Sequence, residues 1–269
     1  MSSFSAEWLA LREPYDRAAR SAVVLEAVAE AFRDAPSIAV VDLACGSGAT
    51  LRALAPRLPP RQSWRLVDNN LSLLAKAAAA GQAPQLTVTP TPVDLARDLE
   101  LALDGPLDLV TASALLDLVS AEWLDRFVIE AAARRLPVYA TLTYDGRVVV
   151  EPDRSLDAEV LAGFDLHQRT DKGFGPALGP AAAARAVERF EHFGYRIVQG
   201  RADWAFGPDD RAVQDALFAG WAEVAPLTTG LSPAAIDGWL AHRRADLEQG
   251  RSRLRVGHLD IFARPMGTR

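Results

Sequence analysis

Through its first half the chain alternates short apolar runs with helix-period segments. Ile38 to Val41 reads as a buried strand, and Ser47 to Ala55 as a helix stopped at Pro56. Trp64 to Val67 is the next strand. Asn70 to Ala80 is a helix whose end is marked by Gly81, a residue suited to positive φ. Leu86 to Val93 is a weaker strand, and Pro90 and Pro92 place it near a sheet edge because proline cannot donate to a ladder. Leu107 to Ala112 is a fourth strand. Ser120 reads as the N-cap of a long helix with Trp123, Leu124, Phe127 and Val128 on its apolar side. Val138 to Tyr144 is a fifth strand.

The second half is less regular. Asp-Gly within "YDGR", Tyr144 to Arg147, joins two β-like runs and predicts a hairpin. Residues 151–180 show little periodicity. Ala181 to Phe193 is a helix ending at Gly194, and "YRIVQGRADWAF" follows as one strand. Two helices come next, near Asp209 to Val224 and from an N-cap at Ser232 with Pro233 at its first position. "RVGHLDIFARP" alternates like a closing strand.

Strands alternating with helices at this spacing imply a mostly parallel sheet covered on both faces. The expectation is α/β: one Rossmann-like, seven-stranded sheet in a single domain spanning 1–269. Residues 1–36 form an N-terminal helical arm, 37–150 the core, and 151–180 and 207–250 helical and loop insertions over the strand C-terminal ends. Ligands in such sheets sit beyond those ends.

Composition narrows the class. With 269 residues, 49% hydrophobic and 24% charged, the chain has an ordinary soluble composition. A net charge of −6 and a pI near 5.3 argue against broad contact with a phosphate backbone, so no nucleic-acid partner is expected. No apolar run approaches the roughly 18 residues of a membrane span, and the first twenty residues lack a secretory core segment. A cytoplasmic location without a membrane partner is expected. Cys45 is the only cysteine, which excludes an intrachain disulfide and a cysteine metal cluster. The four histidines, His167, His192, His242 and His258, have no metal-ligand spacing, and no metal is expected. Lys76 and Lys172 are the only lysines, a bias that genomic base composition explains on its own.

The stretch "VVDLACGSGATLRAL", Val40 to Leu54, runs from the first strand through a glycine loop into a helix. Nicotinamide enzymes and methyl-transfer enzymes both hold an adenosine-containing cofactor in this way. A dinucleotide fingerprint has three glycines, the third for close helix packing. Here the loop reads Gly46-Ser47-Gly48-Ala-Thr-Leu51, with leucine third, and Asp42 stands near the end of the strand. The arrangement resembles motif I of the class I S-adenosylmethionine-dependent methyltransferases, acidic-x-Gly-x-Gly-x-Gly, with Ala44 in place of the first glycine.

That resemblance implies a cofactor site. Asp42 and loop carbonyls would accept from the cofactor ammonium, and N–H groups around Gly46 to Gly48 would serve nearby polar atoms. Ala44, Cys45 and Ser47 complete the loop. Asp68 closes the second strand about 20 residues after Gly48, the spacing of a ribose ligand in both enzyme classes. Asn69 would lie along the adenine, and Asp94 with Leu95 at its amino group; a surface N-cap is the alternative for Asp94, and the two roles are compatible. "LDLVTASALLDLVS" resembles motif IV, with Ser113, Ala114 and Leu115 lining the sulfonium and Asp117 or Leu118 facing the reacting centre. In the arm, Arg12, Tyr15 and Arg20 are candidates to close over the site, and Arg20 is taken as the partner of the cofactor carboxylate. Solvated arginines on an amphipathic helix are the alternative.

The acceptor side rests on "FDLHQRTDKGFGPALGP", Phe164 to Pro180, because long polar loops in compact domains are often functional. His167 is a candidate base. Arg169, Asp171 and Lys172 are candidate substrate ligands, with a solvated connection as the alternative. Tyr144 lies at the expected end of the fifth strand. Methyl transfer is an in-line displacement in which alignment and exclusion of water do much of the work, so no catalytic triad is required. The resulting expectation is S-adenosylmethionine-dependent methylation of a small molecule, with S-adenosylhomocysteine as product. A non-catalytic module binding those two nucleosides, or less favourably an NAD-dependent oxidoreductase, stands beside it.

Overall fold

The computed structural model describes residues 5–80 and 84–267. The expected helix stop at Gly81 lies outside the described residues. Helices α1 (Ala6–Ala19) and α2 (Ala22–Phe32) form the arm. The core follows as β1 (Ile38–Leu43), α3 (Ala49–Leu54), β2 (Gln62–Asp68), α4 (Leu71–Ala80), β3 (Leu86–Pro92), α5 (Leu99–Ala102), β4 (Leu109–Ser113), α6 (Ala121–Ala133) and β5 (Val138–Glu151). The second half holds α7 (Asp157–Gln168), α8 (Ala182–His192), β6 (Tyr195–Arg201), β7 (Trp204–Phe206), α9 (Arg211–Val224), α10 (Pro226–Thr229), α11 (Pro233–Glu248) and β8 (Arg253–Pro265).

The strands form one sheet in the order β3-β2-β1-β4-β5-β8-β6, with β7 also pairing on β8. Strands β1 to β5 are parallel, and β8 runs antiparallel to β5, β6 and β7. The Pro-containing β3 is the edge strand, as its missing donors require. Alternation in β1 shows why both faces are covered. Ile38 and Val40 join a core with α2, α3 and α4, while Val41 and Leu43 join the opposite core under α6 and α8. A third apolar cluster, built on Trp204, Phe218, Trp221 and Trp239, packs α7, α9 and α11 against the ends of β5 and β8.

Two expectations about the second half are corrected. "YDGR" makes no hairpin. The chain continues as one strand through Asp145 and Gly146, and Val148 to Glu151 pair with Val256 to Arg253 of β8. Gly146, at φ +85°, and the register shift between Tyr144 and Val148 mark a bulge. The Asp145 carboxylate stabilises it by accepting from the Arg147 N–H at 3.0 Å. Likewise "YRIVQGRADWAF" is two strands, which raises the total from the expected seven to eight. The break comes at Ala202 and Asp203, where the Asp203 carboxylate turns to the Arg147 guanidinium at 2.8 Å. Within 151–180 the sequence pattern gave no helix, yet α7 is present. Its first residue, Asp157, is buried and paired with Arg243 of α11, so a tertiary ion pair fixes a helix that carries no clear apolar stripe.

Candidate functional site

A cavity of about 660 Å³ opens beyond the C-terminal ends of β1 to β4. Each of the four strands contributes the residues that follow it: Ala44 and Gly46, then Asp68 to Leu73, then Val93 to Ala96, then Ser113 to Leu115 with Leu118. Leu9 and Arg12 of α1 close one side, and Lys172 to Phe174, from the connection between α7 and α8, close another.

The loop after β1 is shaped by left-handed backbone. Ala44, Gly46 and Gly48 have φ of +51°, +54° and +84°. A Cβ at Gly48 would come within 3.1 Å of the Ala77 Cβ on α4, and one at Gly46 within 3.3 Å of Leu9. Ala44 accepts the same left-handed geometry at a cost of about 1–2 kcal/mol. The Gly46 N–H donates to Asp68 at 2.9 Å, and the Gly48 N–H donates to the Cys45 carbonyl at 2.9 Å. The expectation that these two N–H groups face a ligand is therefore corrected, because the loop uses them to hold its own curvature.

Carboxylates sit at the ends of three strands. Asp42 is fully buried, and its Oδ1 accepts from the Thr111 hydroxyl at 2.7 Å. Its Oδ2 has no partner among the described residues. Burial pushes its carboxyl up to about 7, against the pull of Thr111 and Arg20. Asp68 accepts from Gly46 and, at 2.9 Å, from the Asn70 N–H, and both oxygens retain acceptor capacity toward the cavity they line. Asn70 caps α4 by accepting from Ser72 and Leu73. Asp94 lines the cavity while holding its own turn, accepting from Ala96 at 3.1 Å and pairing with Arg97.

Arm helix α1 is locked over the loop. Glu13 pairs with Arg52 at 2.6 Å, and Arg52 in turn donates to the Ser47 carbonyl at 2.7 Å. Hydrogen bonding to Arg52 holds the Glu13 carboxyl below the usual range. Arg12 is buried rather than solvated, with its Nε on Asp16 at 2.8 Å and its guanidinium over the Trp204 ring.

Of the residues singled out from sequence, Ala44, Gly46, Asp68, Asn69, Asp94, Leu95, Ser113, Ala114, Leu115, Leu118 and Lys172 line the cavity. Asp42 lies beneath it. Cys45 packs in the core under α2 to α4, and burial pushes its thiol up. Ser47 and Gly48 belong to the loop's outer contacts with Arg52 and α4. Arg20 lies apart from the lining, its Nη atoms 3.4 Å from the Tyr139 hydroxyl and 3.5 Å from that of Thr50. There it joins the Asp260 cluster that ties the arm to the sheet. His167 faces Lys172, whose Nζ donates to the His167 carbonyl at 2.8 Å, and burial lowers the imidazole. Arg169 is exposed, and Asp171 folds its own loop by accepting from Gly173 and Gly175. Tyr144 is buried and donates to Asp165 at 2.6 Å. Asp117 is buried outside the lining, and burial pushes it up to about 6. Leu9, Leu71 and Phe174 were not distinguished by sequence. Phe174 is fixed by an edge contact with Trp123, whose indole donates to the Leu95 carbonyl at 2.6 Å.

Residues 40–137 match the family model described as a methyltransferase domain. Among solved structures, a cyclopropane-fatty-acyl-phospholipid synthase-like protein from Lactobacillus casei aligns with a TM-score of 0.51 at 16% identity, covering 96% of this chain and 94% of that one. The YcgJ protein of Bacillus subtilis aligns with a TM-score of 0.51 at 13% identity, covering 90% and 98% respectively. At these identities the likeness is one of fold. No curated protein matches by sequence. The matched segment runs from within β1 to the start of β5 and contains all four strand-end loops of the cavity. Over residues 40–137, just over a third of its length, the chain is thus similar to a methyltransferase domain.

Proposed function

We propose that this protein transfers a methyl group from S-adenosylmethionine to a small-molecule acceptor. The observation that carries the reading is the grouping of three carboxylates at neighbouring strand ends, one of them with a buried, unpartnered oxygen. The cofactor presents three donor groups that match them. Asp68 would take the ribose hydroxyls, Asp94 the adenine amino group, and Asp42 Oδ2 the ammonium. Leu71, Leu95 and Leu115 supply apolar surface for the ring. When bound, the cofactor supplies a methyl group on positively charged sulfur. The protein's part is to align donor and acceptor and to keep water out, which the clamped α1 and Phe174 favour.

Two features weigh against a dinucleotide. The N–H groups of Gly46 and Gly48 are committed internally, which leaves them unavailable to a pyrophosphate. Leu51, at the third-glycine position, is buried in the core. A cavity bordered by α1 and by residues 172–174 suits a small acceptor better than a polymer.

Incubation with methyl-labelled S-adenosylmethionine and a panel of small phenols, amines and carboxylic acids tests the proposal, with label transfer as the readout. Transfer to at least one acceptor is expected. Binding of the nucleoside with no transfer across the panel would favour the non-catalytic module instead.

A further inference from the structure

Among the described residues, four charged side chains line the cavity: Arg12, Asp68, Asp94 and Lys172. Two of them are matched within the protein. Arg12 Nε donates to Asp16 at 2.8 Å, and Asp94 pairs with Arg97 at 3.2 Å. Asp68 accepts from the Gly46 and Asn70 N–H groups and is given to the cofactor hydroxyls. Lys172 is left with its charge and no carboxylate partner among the described residues.

The connection between α7 and α8 fixes where that charge stands. The Asp171 carboxylate accepts from the N–H groups of Gly173 at 2.6 Å and Gly175 at 3.0 Å, and a bridge joins Asp171 to Pro176. Gly173 and Gly175 take φ of +102° and +85°, a backbone that this turn needs and glycine supplies. Phe174 packs on Trp123, and the Leu178 N–H donates to the Val119 carbonyl at 2.8 Å. The turn is thereby tied to the residues that follow β4.

An ammonium has three protons to donate, and Lys172 uses two of them. The His167 carbonyl accepts at 2.8 Å and the Thr170 hydroxyl at 2.9 Å. The ring nitrogens of His167 stand at nearly equal distances, 3.2 and 3.4 Å. That placement sets Nζ over the ring face and off the in-plane lone pair of either nitrogen, so the third proton has no strong acceptor. Burial lowers both groups, and the imidazole is a neutral neighbour.

The lining offers no base to an acceptor. His167, Tyr144 and Asp117 lie outside it, and Asp68 and Asp94 are given to the cofactor. A phenol or alcohol has to lose a proton in order to attack. A carboxylate is already an anionic nucleophile at neutral pH and needs no base. It also carries the charge that Lys172 is without, whereas an ammonium would be repelled there. Leu115, Leu118 and Phe174 make the adjacent wall apolar.

We propose that the acceptor is a small carboxylic acid with an apolar body, that Lys172 holds its carboxylate, and that the product is a methyl ester. The assignment rests on the methyl-transfer reading above. One carboxylate oxygen accepts from Lys172 Nζ. The other forms the new O–C bond as the S–C bond of the sulfonium breaks, and the electron pair of that bond stays on sulfur. An anion and a cation become a neutral ester and a neutral thioether, and no proton is transferred. Pairing one oxygen offsets the cost of taking the anion out of water and leaves the second free to attack.

Calorimetry with S-adenosylhomocysteine comes first, so failure of the cofactor reading is seen separately. Protein saturated with that nucleoside is then titrated with 3-phenylpropanoate, its amide and 3-phenylpropylamine, which share one apolar body. The carboxylate should bind at least about tenfold more tightly than either of the others. K172M should remove that preference and K172R should keep most of it, with nucleoside affinity held within about twofold in both. Circular dichroism checks that each variant is folded. A further measurement needs no variant. Label transferred from methyl-labelled S-adenosylmethionine to carboxylic acids should be released as methanol by mild alkali, as from an ester, whereas methyl ethers and N-methyl amines retain it. Equal binding of amide and carboxylate, tighter binding of the amine, no binding of any of the three, a preference kept in K172M, or transferred label that is stable to alkali would each overturn the proposal. A tenfold loss of nucleoside affinity in K172M would overturn it too, by placing Lys172 on the cofactor carboxylate.

Discussion

Replacing Asp42 by asparagine should make the ligand-free protein more stable and its cofactor site worse. Asp42 is fully buried, with one oxygen on Thr111 and the other unpartnered. Burial raises its carboxyl from an ordinary 3.8 to about 7. At 1.36 kcal/mol for each tenfold step, the ionised form disfavours the folded state by about 4 kcal/mol above pH 7. The sign follows from linkage. Below about pH 4 the carboxyl is protonated in both states and contributes nothing. Between about 4 and 7 only the unfolded chain ionises freely, so wild-type stability falls with rising pH, and above 7 the loss is complete. Asparagine mimics the neutral carboxyl and keeps an oxygen for Thr111. D42N should therefore match wild type near pH 4 and exceed it by about 2–4 kcal/mol near pH 8. Urea unfolding of both proteins from pH 4 to 8.5 reads this directly. Taking the difference between them removes the contributions of Asp117 and Asp260, which titrate upward for the same reason. A pH-independent difference, or a D42N protein less stable than wild type at pH 8, would refute the reasoning.

Three further outcomes follow from the same geometry. Asp68→Ala removes the acceptor for the Gly46 and Asn70 N–H groups and should weaken S-adenosylhomocysteine binding by about 1–3 kcal/mol in calorimetry; unchanged affinity would contradict its role. Ala44→Gly relieves left-handed strain of about 1–2 kcal/mol, offset by about 0.4–1 kcal/mol of added chain entropy. Its melting temperature should be level or slightly raised, and a fall of several degrees would contradict that account. Glu13→Gln weakens the Arg52 clamp, so α1 should become more sensitive to limited proteolysis while the rest of the chain stays resistant.

Much of this site was legible because its chemistry is local. Asp42, the glycine loop, Asp68, Asp94 and the Ser113 to Leu118 turn each follow a strand within a few residues, and parallel topology brings strand ends together. Residues fixed by distant partners were not legible in the same way. Nothing in "WLALREPYDRAARS" distinguishes Arg12, which lines the cavity, from Arg20, which is buried against Tyr139. Trp204 and Asp260, far along the chain, make that difference. Helix α7 escaped notice because Asp157 depends on Arg243, 86 residues later. Asp145-Gly146 carries a strong hairpin signal, and only β8, near the C-terminal end, turns it into a bulge.

The central claim is that the strand-end carboxylates hold S-adenosylmethionine rather than a dinucleotide. Isothermal titration of the wild-type protein with S-adenosylhomocysteine and, separately, with NAD tests it most directly. Saturable binding of S-adenosylhomocysteine with none of NAD is the predicted result. Binding of NAD alone, or of neither at millimolar concentration, would contradict it.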